Sequence, residues 1–438
     1  MKRSLVLAAG AVALSALVGA CAPTPSSPST SPTTTVAPTT TVATTTTAKP
    51  PSTTAPSTTA PTTTTAPPPE IGTGISLVGT WKAVAASGWS TCGIKTDGTV
   101  WCWGQRLNQL TPNSSLPVQV SGITNAVRIS MGTSMACATL PDASLWCWGD
   151  GANNEIGVAG ADGRVPVKVL SGVSRFAVGD DQACAVKTDA TLWCWGRNTR
   201  GSVGNGTRSV QKTPVQIQLV TGAGVREPAA KVDAGSAHTC ASSTSGYLWC
   251  WGWNSQGQLG VGDQTDRLVP TQVFFAGTGE IAAGLYHTCA TRTDGTYAGL
   301  MWCWGYNGYD NLFDSTKYTN PAPGLNVTFP RQVFIAGVGQ ITAGTEFSCA
   351  TRTDGTFAGT MWCWGTNESG QLGNGTITIS GFPQRAFFPP PSAIAAGAQH
   401  TCAIDASTQL LWCWGNNEFG QIGAGTTSRQ LSLTRVIG

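Results

Sequence analysis

From about residue 75 onward, apolar and polar positions alternate in short runs of about four to eight residues, broken by Gly or Pro. None of these runs carries a 3.6-residue apolar period long enough for a helix, so the pattern predicts an all-β domain. The most regular run ends in Trp-Cys-Trp-Gly, which recurs at 101–104, 146–149, 193–196, 249–252, 302–305, 362–365 and 412–415. Successive side chains of a strand face opposite ways, so the two Trp share one face and the Cys takes the other. The Trp face is expected to pack on the neighbouring unit, and the Cys to meet a partner Cys on the adjacent strand.

Each unit runs through a short alternating segment to a first Cys, turns at a segment such as "KTDGT" (95–99), and returns through the quartet. A Gly/Asn-rich loop follows, "NSQGQLGVG" at 254–262 or "NESGQLGNG" at 367–375, and then a closing segment such as "VPTQV" at 269–273. The unit length is roughly 45 to 60 residues, and the copies at 281–305 and 341–365 are nearly the same sequence. Seven units of three or four strands predict a seven-bladed β-propeller, in which each small sheet covers its neighbour's apolar face. An open β-solenoid is the alternative, with rungs much shorter than these units. Both "ISLV" (75–78) and "LTRV" (433–436) read as outer strands, one more than seven hairpins need. Either one of them is surplus or the two termini complete one blade together, and the second is the expectation.

The pattern "AGSAHTCA…LWCWGWNSQGQLGVG…VPTQV" over 234–273 resembles the repeat of the regulator of chromosome condensation family, which implies a seven-bladed propeller. The resemblance spans roughly 75–438. "GQLG" stands at Gly257–Gly260 and Gly370–Gly373, and "GQIG" at Gly420–Gly423, but the loop reads "LNQL" in the first unit and "YDNLF" in the fifth.

The first part of the chain does not share this pattern. Lys2 and Arg3 precede an apolar run through Val18, and small residues stand before Cys21, which reads as a secretory signal peptide over 1–20. "LVGAC" resembles the bacterial lipobox, which implies that Cys21 becomes a lipidated N-terminus and holds the protein at a membrane by its acyl chains alone. Between Cys21 and Glu70 the only charged residue is Lys49, in a field of Thr, Pro, Ser and Ala. Such a stretch cannot bury enough apolar surface to offset the entropy of ordering, so 21–70 is expected to be a disordered tether and 71–438 the propeller.

Cys21 apart, the 15 cysteines form seven couples. They are Cys92 with Cys102, Cys137 with Cys147, Cys184 with Cys194, Cys240 with Cys250, Cys289 with Cys303, Cys349 with Cys363, and Cys402 with Cys413. Each couple flanks one turn, and in an exported chain such a set reads as disulfides across seven hairpins. Cys92 and Cys102 are symmetric about Asp97, which suits a three-residue loop with Gly98 left-handed and opposed Cα atoms about 4.5–5.5 Å apart. Zinc ligation is the competing reading, and the lack of any CxxC pair argues against it.

The formal charge of +3 becomes +1 once Lys2 and Arg3 are removed, and no basic run occurs, so nucleic acid is not an expected partner. His238, His287 and His400 each precede a first Cys by two residues; other units hold Ser90, Met135, Gln182 and Phe347 there. The family resemblance implies a packing and hydrogen-bonding role for these imidazoles rather than ligation. No Ser/His/Asp spacing suggests a triad, and the Gly-rich loops lack the Lys of a phosphate-binding loop. No cofactor or metal is expected. The fifth unit's loop, 306–330, takes 27 residues from Cys303 to Pro330, where the fourth and sixth take 20 from Cys250 to Pro270 and Cys363 to Pro383. It carries Tyr306, Tyr309, Phe313 and Tyr318, candidates for contact with a partner.

These observations point to a monomeric, exported lipoprotein that displays a propeller as a protein- or glycan-binding module. An extracellular carbohydrate-active enzyme is the alternative, but its carboxylate pair is not evident: Asp97, Asp294 and Asp354 lie in hairpin turns. Nucleotide-exchange activity, implied by the family's best-known member, fits poorly with export.

Overall fold

A computed structural model describes residues 79–105, 113–150, 156–180, 182–308, 312 and 326–438. Seven four-stranded antiparallel sheets follow one another along the chain in the arrangement of a seven-bladed β-propeller. The fourth blade shows the plan: inner strand Ala229–Ala234, then His238–Ser243, then Leu248–Gly252 with the quartet, and outer strand Arg267–Val273. Helix among the described residues is confined to two short 3-10 turns, Gly295–Tyr297 and Gly355–Phe357, where the fifth and sixth hairpins are longest. A two-stranded ribbon, Leu219–Val220 with Arg226–Glu227, joins the third blade to the fourth and has no signal in the repeat pattern.

The hairpins have the expected register, with the two cysteines of each couple directly opposite one another in every blade. All seven expected couples are disulfide-bonded: Cys92–Cys102, Cys137–Cys147, Cys184–Cys194, Cys240–Cys250, Cys289–Cys303, Cys349–Cys363 and Cys402–Cys413. Their Cα atoms are 4.0–4.1 Å apart, closer than the 4.5–5.5 Å expected of an opposed pair, because the bridge draws the two strands together. Gly98 takes φ +86°, and Ala143 and Ala190 hold the corresponding left-handed position at +60° and +61°. Asp97 accepts bonds from the Thr99 amide and hydroxyl at 2.8 and 2.7 Å, which keeps its carboxyl below the usual range.

The quartet is the joint between blades. Trp249 and Trp251 of the fourth blade are buried with Cys184 and Cys194 of the third, and Trp304 of the fifth with Cys240 and Cys250 of the fourth. Likewise Trp195 of the third blade is buried with Cys137 and Cys147 of the second, Trp364 of the sixth with Cys289 and Cys303 of the fifth, and Trp414 of the seventh with Cys349 and Cys363 of the sixth. The disulfide face of one blade therefore meets the Trp face of the next. Trp251 Nε1 donates to the Ser202 carbonyl at 2.8 Å, and Thr239 Oγ1 donates to the same oxygen at 2.9 Å. Trp304 and Thr288 share the Gln258 carbonyl in this way, and Trp414 and Thr401 share that of Gln371. The "GQLG" loop is thus a latch whose one carbonyl receives two donors from the following blade.

The expectation that the termini share a blade is corrected. The last blade is built from four consecutive strands, Pro391–Ala396 to Gln430–Arg435, and the first has its own outer strand, Ser114–Gln119. "LTRV" supplies the seventh outer strand; "ISLV" lies outside the described residues. The ring closes face to face by the same joint as elsewhere: Trp103 and Thr91 donate to the Gln421 carbonyl at 2.9 Å each, and Trp103 is buried with Cys402 and Cys413. Counting candidate outer segments misled because a propeller whose blades are each complete needs no shared strand.

Candidate interaction faces and axial site

Chain direction sorts the connections onto two faces. The turns from inner to second strand, such as 235–237, and the Gly-rich loops, such as 253–266, lie on one; the hairpin turns and the links between blades lie on the other. On the loop face, six units place a Gly five residues before the first Cys, at Gly132, Gly179, Gly235, Gly284, Gly344 and Gly397, with Ser87 in the first. A Cβ on Gly179 would lie 2.1 Å from the Gly235 carbonyl, and one on Gly235 would lie 2.3 Å from that of Gly284. From Gly132 to Gly397 each backbone abuts the next along this collar, and the recurring Gly is its only sequence signal.

Beneath the collar the inner strands enclose an axial cavity of about 530 Å3. Its wall includes two carboxylates that no sequence motif marks. Asp180 accepts from the Thr133 amide at 3.0 Å and from Ser87 at 3.4 Å; burial is the largest influence on its carboxyl and raises its pKa. Asp233 accepts from the Ala283 amide of the next blade at 2.7 Å, and burial pushes its pKa up to about 7. Ser130 and Thr342 occupy the same register position and accept from Val178 and Ala396 in the same way. Both carboxylates thus tie the inner strands of different blades together. Among the described residues no group of three His, Cys, Asp or Glu is placed to hold a metal ion.

The three histidines are fully buried joint residues. His238 Nε2 meets Thr288 Oγ1 at 2.9 Å, His287 Nε2 meets Ser348 Oγ at 2.8 Å, and His400 Nε2 meets Thr91 Oγ1 at 2.8 Å, each in the following blade. Thr91 and Thr288 already give their protons to loop carbonyls, so the imidazoles of His400 and His238 must donate from Nε2. Burial holds the three imidazoles far below their usual range, at about 3, 4 and 3 for His238, His287 and His400. They are neutral at physiological pH, as a structural role requires.

Of the aromatic candidates, Tyr309, Phe313 and Tyr318 lie outside the described residues, as does Cys21. Tyr306 is half-buried and belongs to an array on the loop face: its ring lies 5.9 Å from Tyr286, which lies 5.5 Å from Trp253, with the Arg200 guanidinium 5.7 Å over the indole. Trp253 and Tyr286 stand at positions where the copies differ, Trp253 directly after a quartet and Tyr286 directly before a His. Arg200 and Arg208 flank this array, both within 3.7 Å of Asp266. Glu346, Glu368 and Glu418 lie on the loops of the sixth and seventh blades, and burial with the neighbouring Glu368 raises the Glu346 pKa. The loop face thus places arginines paired with Asp266 beside the aromatic array and three glutamates on the sixth and seventh blades.

The fifth loop keeps more of the repeat than its sequence suggests. Asn307 Oδ1 accepts the Leu312 amide at 3.1 Å, as Asn254 does for Leu259 and Asn367 for Leu372. The durable signature is an Asn five residues before an aliphatic residue, and "GQLG" is a decoration on it.

Asp97, Asp294 and Asp354 sit in hairpin turns on the other face, and Asp354 is paired with Arg352 at 2.8 Å. None of these three carboxylates reaches the axial cavity.

Residues 159–437 match the RCC1-like domain family, and residues 81–109 match the regulator of chromosome condensation (RCC1) repeat. The ultraviolet-B receptor UVR8 of Arabidopsis thaliana is 31% identical over 215 residues, covering 47% of this chain and 44% of the receptor. The human E3 ubiquitin-protein ligase HERC2 is 28% identical over 223 residues, covering 48% of this chain and only 4% of the ligase. The chain thus spans less than half the length of these relatives. Among solved structures, Prp20p of Saccharomyces cerevisiae, described with its binding to Gsp1p and histones, superposes with a TM-score of 0.67 at 18% identity, covering 79% of this chain and 87% of that one. Human WBSCR16 gives 0.62 at 20% identity, covering 74% and 85%. At these identities the likeness is one of fold.

Proposed function

From the premise that the chain belongs to the RCC1-like domain family, we propose that it is an exported interaction module whose propeller binds an extracellular protein or glycan through its loop face. The Trp253, Tyr286 and Tyr306 array beneath Arg200 carries this reading. Trp, Tyr and Arg are the residues that dominate binding energy at interfaces, and here they lie together on rigid blades where the seven copies diverge. Seven disulfides are consistent with an extracellular setting. The lipobox-like "LVGAC" supports anchorage through Cys21 at the cell surface.

The test is capture from envelope and extracellular extracts, with protease-treated and periodate-treated extracts run in parallel. Loss of the bound species on protease treatment identifies a protein partner, and loss on periodate a glycan. A capture that Trp253→Ala with Tyr286→Ala leaves unchanged removes the loop face from consideration. Equal detergent-phase partition of the wild type and Cys21→Ala would exclude the anchor.

A carbohydrate-active enzyme is the second reading, favoured by Asp180 and Asp233 in the axial wall. It requires glycan turnover that Asp180→Asn abolishes. An unchanged substrate profile after incubation with the wild type rejects it.

A further inference from the structure

The face opposite the loops carries an arc of exposed aromatic side chains that the function above does not use. Phe274 is 97% exposed, Phe387 68% and Phe334 58%. They occupy the same place in three successive links between blades, each followed by a buried partner, Phe275, Ile335 or Phe388. Between them, the hairpin turns of the fifth and sixth blades add Tyr297 at 46% and Phe357 at 40%. The corresponding links at 171–172 and 436–438 carry no aromatic residue, so the arc is one-sided.

We propose that this arc is a membrane-docking surface that enters the interfacial layer of a lipid bilayer. Equivalent positions in a ring of blades lie on one face at a similar height, and three phenyl groups displayed in that way suit a flat partner. Aromatic side chains favour the headgroup boundary, and a monotopic protein holds there by shallow apolar insertion. Charge is compatible: Arg331 and Arg385 are exposed three and two residues before Phe334 and Phe387 in the chain, available to anionic headgroups, and Asp294 and Asp354 of the neighbouring turns are paired with Arg292 and Arg352. The path of the chain agrees as well. The strand Trp81–Ser87 starts on this same face, where Thr80 meets Thr96 of the first hairpin turn at 2.6 Å, and Cys21 lies 58 residues before Gly79. A lipid at Cys21 would thus be joined to the propeller by a chain whose first described residues enter on the aromatic side. Docking adds a second membrane contact to the lipid and leaves the loop face turned outward.

The experiment is flotation of the full chain carrying Cys21→Ala, with and without Phe274→Ser, Phe334→Ser and Phe387→Ser, on vesicles of phosphatidylcholine mixed with phosphatidylglycerol. Both proteins share the N-terminal segment, so their difference isolates the three side chains. The expected result is a partition coefficient at least about tenfold lower for the triple variant at an unchanged melting temperature. Deuterium exchange at 274–277, 334–337 and 387–390 is expected to slow on vesicles only in the protein that retains the phenyl groups. Equal partition overturns the proposal, as does protection confined to the loop face. So does a triple variant that loses a protein partner while its vesicle binding is unchanged, which would assign the arc to a protein. Because the loop-face reading uses the other side of the ring, its failure and the failure of this one are distinguishable.

Discussion

His238, His287 and His400 stand where a ligand-seeking reading of the sequence is most tempting, and their surroundings assign them to the joints between blades. Each bonds across a joint to a hydroxyl, and burial holds each at a pKa of about 3 to 4. The unfolded chain takes up these protons near pH 6.5 and the folded chain does not, so the stabilisation is complete above pH 6.5 and is lost as pH falls towards 4 and 3. The slope approaches about 1.4 kcal/mol per pH unit for each histidine. Asp180, Asp233 and Glu346, raised by burial, act in the opposite sense, contributing stability below the usual carboxylate range that is lost as pH rises through their folded values, about 7 for Asp233. Gln182 already fills the histidine position in the third blade and donates to Thr239 Oγ1 at 3.1 Å. Changing all three histidines to Gln is therefore expected to flatten the fall in melting temperature between pH 7 and 4.5 while shifting the value at pH 7 by only a few degrees. An unaltered acid dependence would show that other groups control it. At this scale the disulfides were legible from the sequence, and the packing role of the imidazoles from the family resemblance. Asp180 and Asp233 escaped notice because a carboxylate in or beside a short inner strand has no spacing signature, and only closing the ring brings it to the axis.

A blade is a hairpin with a cross-strand bridge, flanked by an inner and an outer strand, and its energetics lie in what it presents to the next. Trp304 serves two purposes, filling the interface beside Cys240 and Cys250 and donating to the Gln258 carbonyl at 2.9 Å. Trp304→Phe keeps most of the packing and loses one bond to an oxygen that Thr288 still satisfies, a cost of about 1 kcal/mol. Trp304→Ala also opens a cavity and is expected to cost about 3–5 kcal/mol, read as a difference in urea midpoint at constant slope. Equal costs for the two would show that the bond, not the packing, holds the joint. Strand alternation in "WCWG" assigned both faces correctly, because a two-residue period leaves no other arrangement. The latch was less visible, since it uses a backbone carbonyl that no side-chain pattern announces. Six of the seven outer strands carry a Pro within or beside them, at 117, 166, 214, 270, 330 and 383, which removes a donor from an open edge and discourages pairing with another molecule.

The ring closes without strand exchange, each blade having its four strands among the described residues. A chain beginning at Gly79 is expected to keep the far-ultraviolet spectrum and the melting temperature of the full chain; a drop of many degrees would show that "ISLV" contributes a strand after all. The Trp-on-disulfide joint recurs around the ring, four of its instances adding the shared carbonyl among the described residues, and such regularity is what a scaffold needs. Function belongs where the copies diverge, and that region was only partly legible: the sequence pointed to Tyr306 through the length of its loop, but Trp253, Tyr286 and Arg200 join it through contacts that only the fold creates. This array, and not the repeated quartet, is the proposed binding surface. The most direct measurement is the dissociation constant of the captured partner for the wild type and for Trp253→Ala with Tyr286→Ala, at matched melting temperatures. A weakening of at least about tenfold is expected for the loss of two aromatic anchors, and an unchanged dissociation constant would place the binding surface elsewhere.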